Sequence, residues 1–154
     1  MPVTWGAKPA KDFMIIRKQL IILLSFILLA GCGDNTERPF IPDVLINEQI
    51  NLTNIQYNAL RQVNGYVYLN AGVRGIIVMR VDANRYRAIE RNCTYQPENE
   101  KCSTVEVDPS NLFLIDPCCG SQFDLSGQVT GGPATYPLRQ YSTTLQGNFL
   151  YIRN

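Results

Sequence analysis

Five cysteines and no histidine set the chemistry open to this chain of 154 residues. The cysteines are Cys32, Cys93, Cys102, Cys118 and Cys119. A thiol can carry lipid, pair in a disulfide, ligate a soft metal or attack as a thiolate. Without histidine there is no imidazole-held zinc, no Ser–His or Cys–His nucleophile pair and no histidine pH switch. No C-x-x-C motif occurs either, so the usual dithiol exchange site is also missing. Composition adds little: 45% hydrophobic, 18% charged and a net charge of +1 give no basic patch for nucleic acid. No nucleic-acid partner is expected.

Cys32 stands apart from the other four. Arg17 and Lys18 precede an apolar run from Leu20 to Ala30, and the run ends Leu29-Ala30-Gly31-Cys32. Basic residues, a short apolar stretch and small residues at its end form a secretory signal. The run is too short for a membrane span, which needs about 20 residues. Its end resembles the lipobox of bacterial lipoproteins, in which the cysteine is acylated and becomes the first mature residue. Residues 1–31 are thus expected as a signal peptide, with Met14 as a plausible start and the first 13 residues an over-extension. Cys32 is the expected lipidation site, carrying palmitate-type chains. Residues 32–43 are expected as a lipidated tether, because Gly33 to Asp43 is polar and carries two prolines.

Removing residues 1–31 takes away Lys8, Lys11, Arg17, Lys18 and Asp12, leaving ten basic against twelve acidic residues. The positive balance belongs to the leader. Export implies an oxidising compartment, so Cys93, Cys102, Cys118 and Cys119 read first as disulfide partners.

The elements that must hold these four are short strands. Tyr66–Leu69 is aromatic and β-branched, and Gly75–Val81 leads through the turn Asp82-Ala83-Asn84 into Tyr86–Ile89. Val105–Val107 alternates, Asn111–Ile115 is a short apolar run, and Leu145–Ile152 reads as two strands about Gly147-Asn148. Ile55 to Val63 is the best helix candidate. Many short strands broken by Gly, Pro, Asn and Asp predict an all-β domain over residues 44–154. Arg80, Arg85, Arg87 and Arg91 lie along one hairpin and are expected as a solvated row.

Two segments carry a family resemblance. Asn92-Cys93-Thr94-Tyr95 is similar to box I of Rieske iron–sulfur domains, C-T-H-x-x-C. Asp116-Pro117-Cys118-Cys119-Gly120-Ser121-Gln122-Phe123-Asp124, followed by Gly132-Pro133-Ala134, is similar to box II, C-P-C-H-G-S-x-F-D, with its later G-P-A loop. The resemblance covers about residues 60–153. It implies a Rieske-like antiparallel β-sandwich with a small disulfide-stapled loop subdomain. A Rieske centre holds one iron by two thiolates and the other by two imidazoles. The implied ligand positions here are Cys93, Tyr95, Asp116 and Cys119, so only Cys93 keeps its residue type. Ser121 falls where high-potential members place a hydrogen-bond donor to the cluster.

The resemblance also implies the disulfide Cys102–Cys118. With no cluster between them, Cys93 and Cys119 are expected to close a second bridge. Four cysteines allow two other connectivities; one joins the adjacent Cys118 and Cys119 in a strained ring, and the other breaks the family pairing. Each expected bridge closes a loop worth about 3–3.5 kcal/mol in the chain-entropy model.

The expected function is a membrane-anchored, cluster-free lipoprotein in the bacterial cell envelope, in the periplasm or at the cell surface. It is expected to be a structural or partner-binding module, not an enzyme, with no catalytic residue and no cofactor. Its expected contacts are a membrane, through lipid on Cys32, and an envelope protein. The alternative is electron transfer through an atypical 2Fe-2S or mononuclear iron site at the same four positions. A thiol–disulfide role for Cys93 and Cys119 is the remaining reading.

Overall fold

The chain divides into two compact units, Met1–Glu37 and Arg38–Asn154. The computed structural model describes residues 39–154 together with Pro2. The expected leader, the lipid site Cys32 and the first part of the tether lie outside the described residues.

Among the described residues ten strands pair into two antiparallel sheets. They are β1 (Asn47–Asn51), β2 (Tyr66–Leu69), β3 (Ile76–Arg80), β4 (Tyr86–Glu90), β5 (Glu106–Val107), β6 (Leu114–Ile115), β7 (Gln122–Phe123), β8 (Val129–Gly131), β9 (Gln140–Gln146) and β10 (Phe149–Arg153). The larger sheet runs β1-β10-β9-β4-β3-β2 and the smaller β5-β6-β7-β8.

The apolar run Ile76-Ile77-Val78-Met79 explains the layering. Successive side chains of a strand point to opposite faces, and all four of these are buried. A strand hydrophobic on both faces must be covered on both. Ile76 and Val78 join Ile50, Tyr86, Leu150 and Ile152 in one core. Ile77 and Met79 join Cys93, Val105, Leu114 and Phe123 in the other. The second core glues the small sheet to the large one, and Cys93 is part of it.

The expected strands at 66–69, 76–80 and 86–90 are present, and the hairpin about Gly147-Asn148 extends back to Gln140. The apolar run 111–115 contributes only Leu114–Ile115, because Asn111 takes a left-handed turn (φ 58°) and Leu112 is 74% exposed. The helix candidate is a 3-10 helix, Ile55–Arg61, that buries only Leu60. One-sided burial this thin does not support a full α-helix. The arginine row is not uniformly solvated: Arg85 is exposed beside Asp82, but Arg80, Arg87 and Arg91 are half-buried. Arg80 donates to the carbonyls of Leu60, Arg61, Asp82 and Ala83, and Arg87 donates to that of Leu125. Arg91 bonds the Val105 carbonyl and covers the Tyr68 ring at 4.2 Å. These guanidinium groups staple loops to strands. Within the stretch expected as tether, Ile41 is buried, and Arg139 donates to the carbonyls of Ile41 and Pro42.

A buried carboxylate ties the large sheet to the loop that begins at Cys93. Glu90, at the end of β4, is fully buried. Its oxygens accept from the amides of Val73 (2.9 Å), Arg74 (2.9 Å) and Asn92 (3.1 Å) and from the Tyr141 hydroxyl (2.7 Å). The turn that supplies two of those amides needs Gly72 (φ 78°), where a Cβ would stand 2.3 Å from Glu90 Oε2. Arg74 then reaches on, from Nε to Asn92 Oδ1 and from its terminal nitrogens to the carbonyls of Glu100 and Pro97. The chain leading to Cys102 is thereby fixed from below.

Burial, with the Glu90 carboxylate accepting its hydrogen bond, raises the Tyr141 hydroxyl above the ordinary tyrosine value; Arg139 opposes the rise. A group whose folded pKa is raised contributes stability that is full below its unfolded value and is lost as pH climbs past it. The unfolded value is about 10. The urea midpoint is therefore expected to fall between pH 9 and pH 11, and to fall less in Tyr141→Phe. Equal slopes in the two proteins would contradict this role of Tyr141.

Candidate functional site

Two loops and a cover meet at one end of the small sheet. The first loop leaves the large sheet at Asn92 and returns at Thr104, where the two residues form an isolated bridge. The Cys93 amide donates to the Ser103 carbonyl (2.8 Å), closing the base of the loop. The second loop spans Asp116 to Ser121 between β6 and β7. Its turn is made by Asp116: Oδ1 accepts the amides of Cys118 (2.9 Å) and Cys119 (3.4 Å), as Asx turns do. The Gly120 amide closes onto the Asp116 carbonyl (2.9 Å).

The cover is the segment 132–137. Gly132 has φ 82°, and a Cβ there would lie 2.5 Å from the Gly120 carbonyl oxygen, so only glycine permits this approach. Ser121 Oγ accepts the Ala134 amide (3.1 Å), and Thr94 Oγ1 donates to the Tyr136 carbonyl (2.6 Å). Each cysteine loop is thus bonded to the cover.

Cys102 and Cys118 form the expected disulfide, which joins the loops directly. The expected second bridge is not closed. Cys93 and Cys119 are free thiols with their Sγ atoms 3.9 Å apart. A local reason is visible in the loop: the Cys119 thiol donates to Ser121 Oγ (3.0 Å), and the Ser121 amide points at the same sulfur (3.4 Å). Ser121 therefore has a clear object, the sulfur of Cys119.

The four implied ligand positions do not behave alike. Cys93, Asp116 and Cys119 place one sulfur, one carboxylate oxygen and one sulfur all within 4.8 Å of one another. Cys93 and Asp116 are fully buried, while Cys119 is half-buried. Tyr95 packs its ring against the core, and its hydroxyl accepts only a long contact from the Gln96 amide group (3.4 Å).

Asp116 Oδ2 is buried and has no hydrogen-bond partner. Leaving a buried carboxylate oxygen unsatisfied costs about 1–3 kcal/mol or more. The sequence places Asp116 only at a displaced ligand position; that one oxygen builds the turn while the other is left buried without a partner depends on the fold of the loop. Burial pushes the Cys93 thiol up to about 12, the Tyr95 amide opposing and the neighbouring Cys119 and Asp116 adding to the rise. A thiol held neutral is a poor nucleophile, which counts against a thiol–disulfide exchange role for this pair.

Two facing cysteine loops on a four-stranded sheet, one disulfide between them and a Gly-Pro-Ala cover make a Rieske-like domain. No protein-family model matches the chain. Its sequence is similar to the cytochrome b6-f complex iron-sulfur subunit of Chlorobaculum thiosulfatiphilum, 33% identical over 51 residues, which are 33% of this chain and 28% of that protein. The chain thus matches little more than a quarter of that relative's length.

Among solved structures it is similar to the cyanobacterial plasma membrane Rieske protein PetC3 from Synechocystis PCC 6803, at a TM-score of 0.49 and 25% identity, covering 58% of this chain and 87% of that one. It is also similar to a chain of a hyperthermophilic respiratory complex III, at a TM-score of 0.49 and 16% identity, covering 90% and 95% of the two chains. Among the described residues no helix is long and apolar enough to cross a membrane.

Proposed function

We propose that this chain is a Rieske-like module that works without a Rieske cluster, as a structural or partner-binding element of a bacterial cell envelope. In this reading lipid on Cys32 holds it at a membrane. The observation that carries the reading is the donor set. A Rieske cluster needs two thiolates at one iron and two imidazoles at the other. The chain contains no histidine, and its three converging donors lie within 4.8 Å of one another, a span suited to one small ion and not to the two ends of a cluster. The donors present do not fit that group.

The cluster is also dispensable for holding the loops together. A disulfide and the hydrogen bonds of Thr94 and Ser121 already join the loops and their cover. The relatives' names are those of an iron-sulfur subunit, a plasma membrane Rieske protein and a respiratory complex, and by likeness the partner is a membrane-bound assembly.

The convergence of Cys93, Asp116 and Cys119 is the one observation on the side of electron transfer through an atypical iron site. Acid-labile sulfide and EPR separate the readings. The chain purified from membranes is expected to contain no sulfide and to give no EPR signal after dithionite reduction. Stoichiometric iron with sulfide and a reduced-state signal would establish the alternative.

A further inference from the structure

Cys93, Asp116 and Cys119 bring three donors within 4.8 Å of one another, and their spacing is informative. Two thiolates on one tetrahedral ion, each about 2.3 Å from it, stand about 3.8 Å apart. The sulfurs of Cys93 and Cys119 are 3.9 Å apart. A disulfide would need them at about 2.05 Å. The third donor is the Asp116 carboxylate, which brings an oxygen within 4.8 Å of both sulfurs and whose Oδ2 is buried without a hydrogen-bond partner. An unsatisfied carboxylate oxygen is costly in an apolar setting, and a cation is the ligand that would satisfy it.

From this geometry we propose that Cys93, Asp116 and Cys119 bind a single thiophilic divalent cation of zinc type. Two thiolates and a carboxylate suit such an ion better than magnesium or calcium, which take oxygen donors. On binding, the hexaaqua ion loses five waters as its coordination falls from six to four: the two sulfurs and the carboxylate oxygen replace three of them, and one water stays. The two thiol protons pass to solvent, and no electron is transferred. The fourth position keeps a water on the side of half-buried Cys119, as open zinc sites do.

The outer contacts are already set. Asp116 Oδ1 is held by two amides of its own turn, which orients Oδ2. The Ser121 amide donates to the Cys119 sulfur, and Ser121 Oγ accepts from the Cys119 thiol. Such contacts orient ligands and raise affinity. The site takes the place left by the absent cluster, and in that respect the inference rests on the function proposed above.

Cobalt is the probe, because its tetrahedral thiolate complexes are coloured. The full chain, stripped with a chelator and kept anaerobic, is titrated with Co2+ and then with Zn2+. One equivalent of Co2+ is expected to give thiolate charge-transfer and tetrahedral ligand-field bands, and one equivalent of Zn2+ to bleach them. Cys93→Ser and Cys119→Ala are expected to abolish the bands. Asp116→Asn is expected to weaken Co2+ binding at least tenfold, and Cys32→Ser to leave it unchanged.

Circular dichroism of each variant separates lost binding from lost fold, and Cys119→Ala, at the half-buried position, is the milder change. The absence of bands in the wild type, bands that persist in folded Cys93→Ser, or a Cys93–Cys119 disulfide in the isolated protein would overturn the proposal. None of those results would restore a cluster. Iron with sulfide in the isolated protein would instead overturn the cluster-free reading itself.

Discussion

Replacing Glu90 by alanine is expected to cost about 4 kcal/mol or more, enough to remove most of the stability of a domain this size. The reason is the number of groups it would orphan. Three backbone amides and the Tyr141 hydroxyl donate to this one buried carboxylate. Alanine leaves all four donors without this partner, two of them in buried bonds and two in part-buried ones, and each buried one costs about 1–3 kcal/mol before relaxation. Glu90→Gln keeps the shape but turns one acceptor into a donor, and is expected to cost about half as much. Urea unfolding of both variants checks the order. A Glu90→Ala protein with a near-wild-type midpoint would show that the turn at 72–74 and the base of the Cys93 loop are held by something else.

Cys102→Ser, alone or with Cys118→Ser, is expected to lower stability by about 3 kcal/mol, because the bridge closes a loop with a sequence separation of 16. For a domain near 115 residues this corresponds to a melting point lower by roughly 10 °C. The effect is expected to concentrate in the loops. Amide exchange should quicken at residues 94–103 and 116–121 and stay slow in β3 and β4, whose side chains are buried on both faces. A uniform loss of protection over both sheets would mean that the staple supports the whole fold and not the loop end alone. A reductant such as dithiothreitol should reproduce the result in the wild type and add nothing in the double variant.

The strands that could be read from the sequence were those with strong local signals. The Gly75–Val81 and Tyr86–Ile89 runs form β3 and β4, and Gly147-Asn148 marks the turn between β9 and β10. The strands that could not be read were β1, β7 and β8. Asn47–Asn51 has only one fully buried residue, Ile50, and pairs with the far end of the chain through β10. Gln122–Phe123 and Val129–Gly131 are two and three residues long, below the length at which periodicity has meaning.

The site divides in the same way. The resemblance to the two Rieske boxes marked Cys93, Tyr95, Asp116 and Cys119 as a group and implied the Cys102–Cys118 pair. It did not show that Tyr95 would turn its ring to the core, or that one oxygen of Asp116 would be spent on its own turn. The closed Cys93–Cys119 bridge rested on two ligand positions that face each other in the family and on an oxidising compartment. The Ser121 contacts that hold the Cys119 sulfur in place depend on the fold of the loop. Glu90, among the most connected side chains near the site, had no sequence signal at all, since a lone Glu at the end of a strand is ordinarily exposed.

A Rieske-like scaffold without a Rieske cluster has a distinct mass signature. The most direct test is native mass spectrometry of the full chain isolated anaerobically from membranes, with the denatured mass taken alongside. The expected denatured mass shows one disulfide, two hydrogens below the fully reduced polypeptide. The expected native mass adds at most a single metal ion. A native mass carrying two irons and two sulfides, lost on denaturation, would contradict the claim.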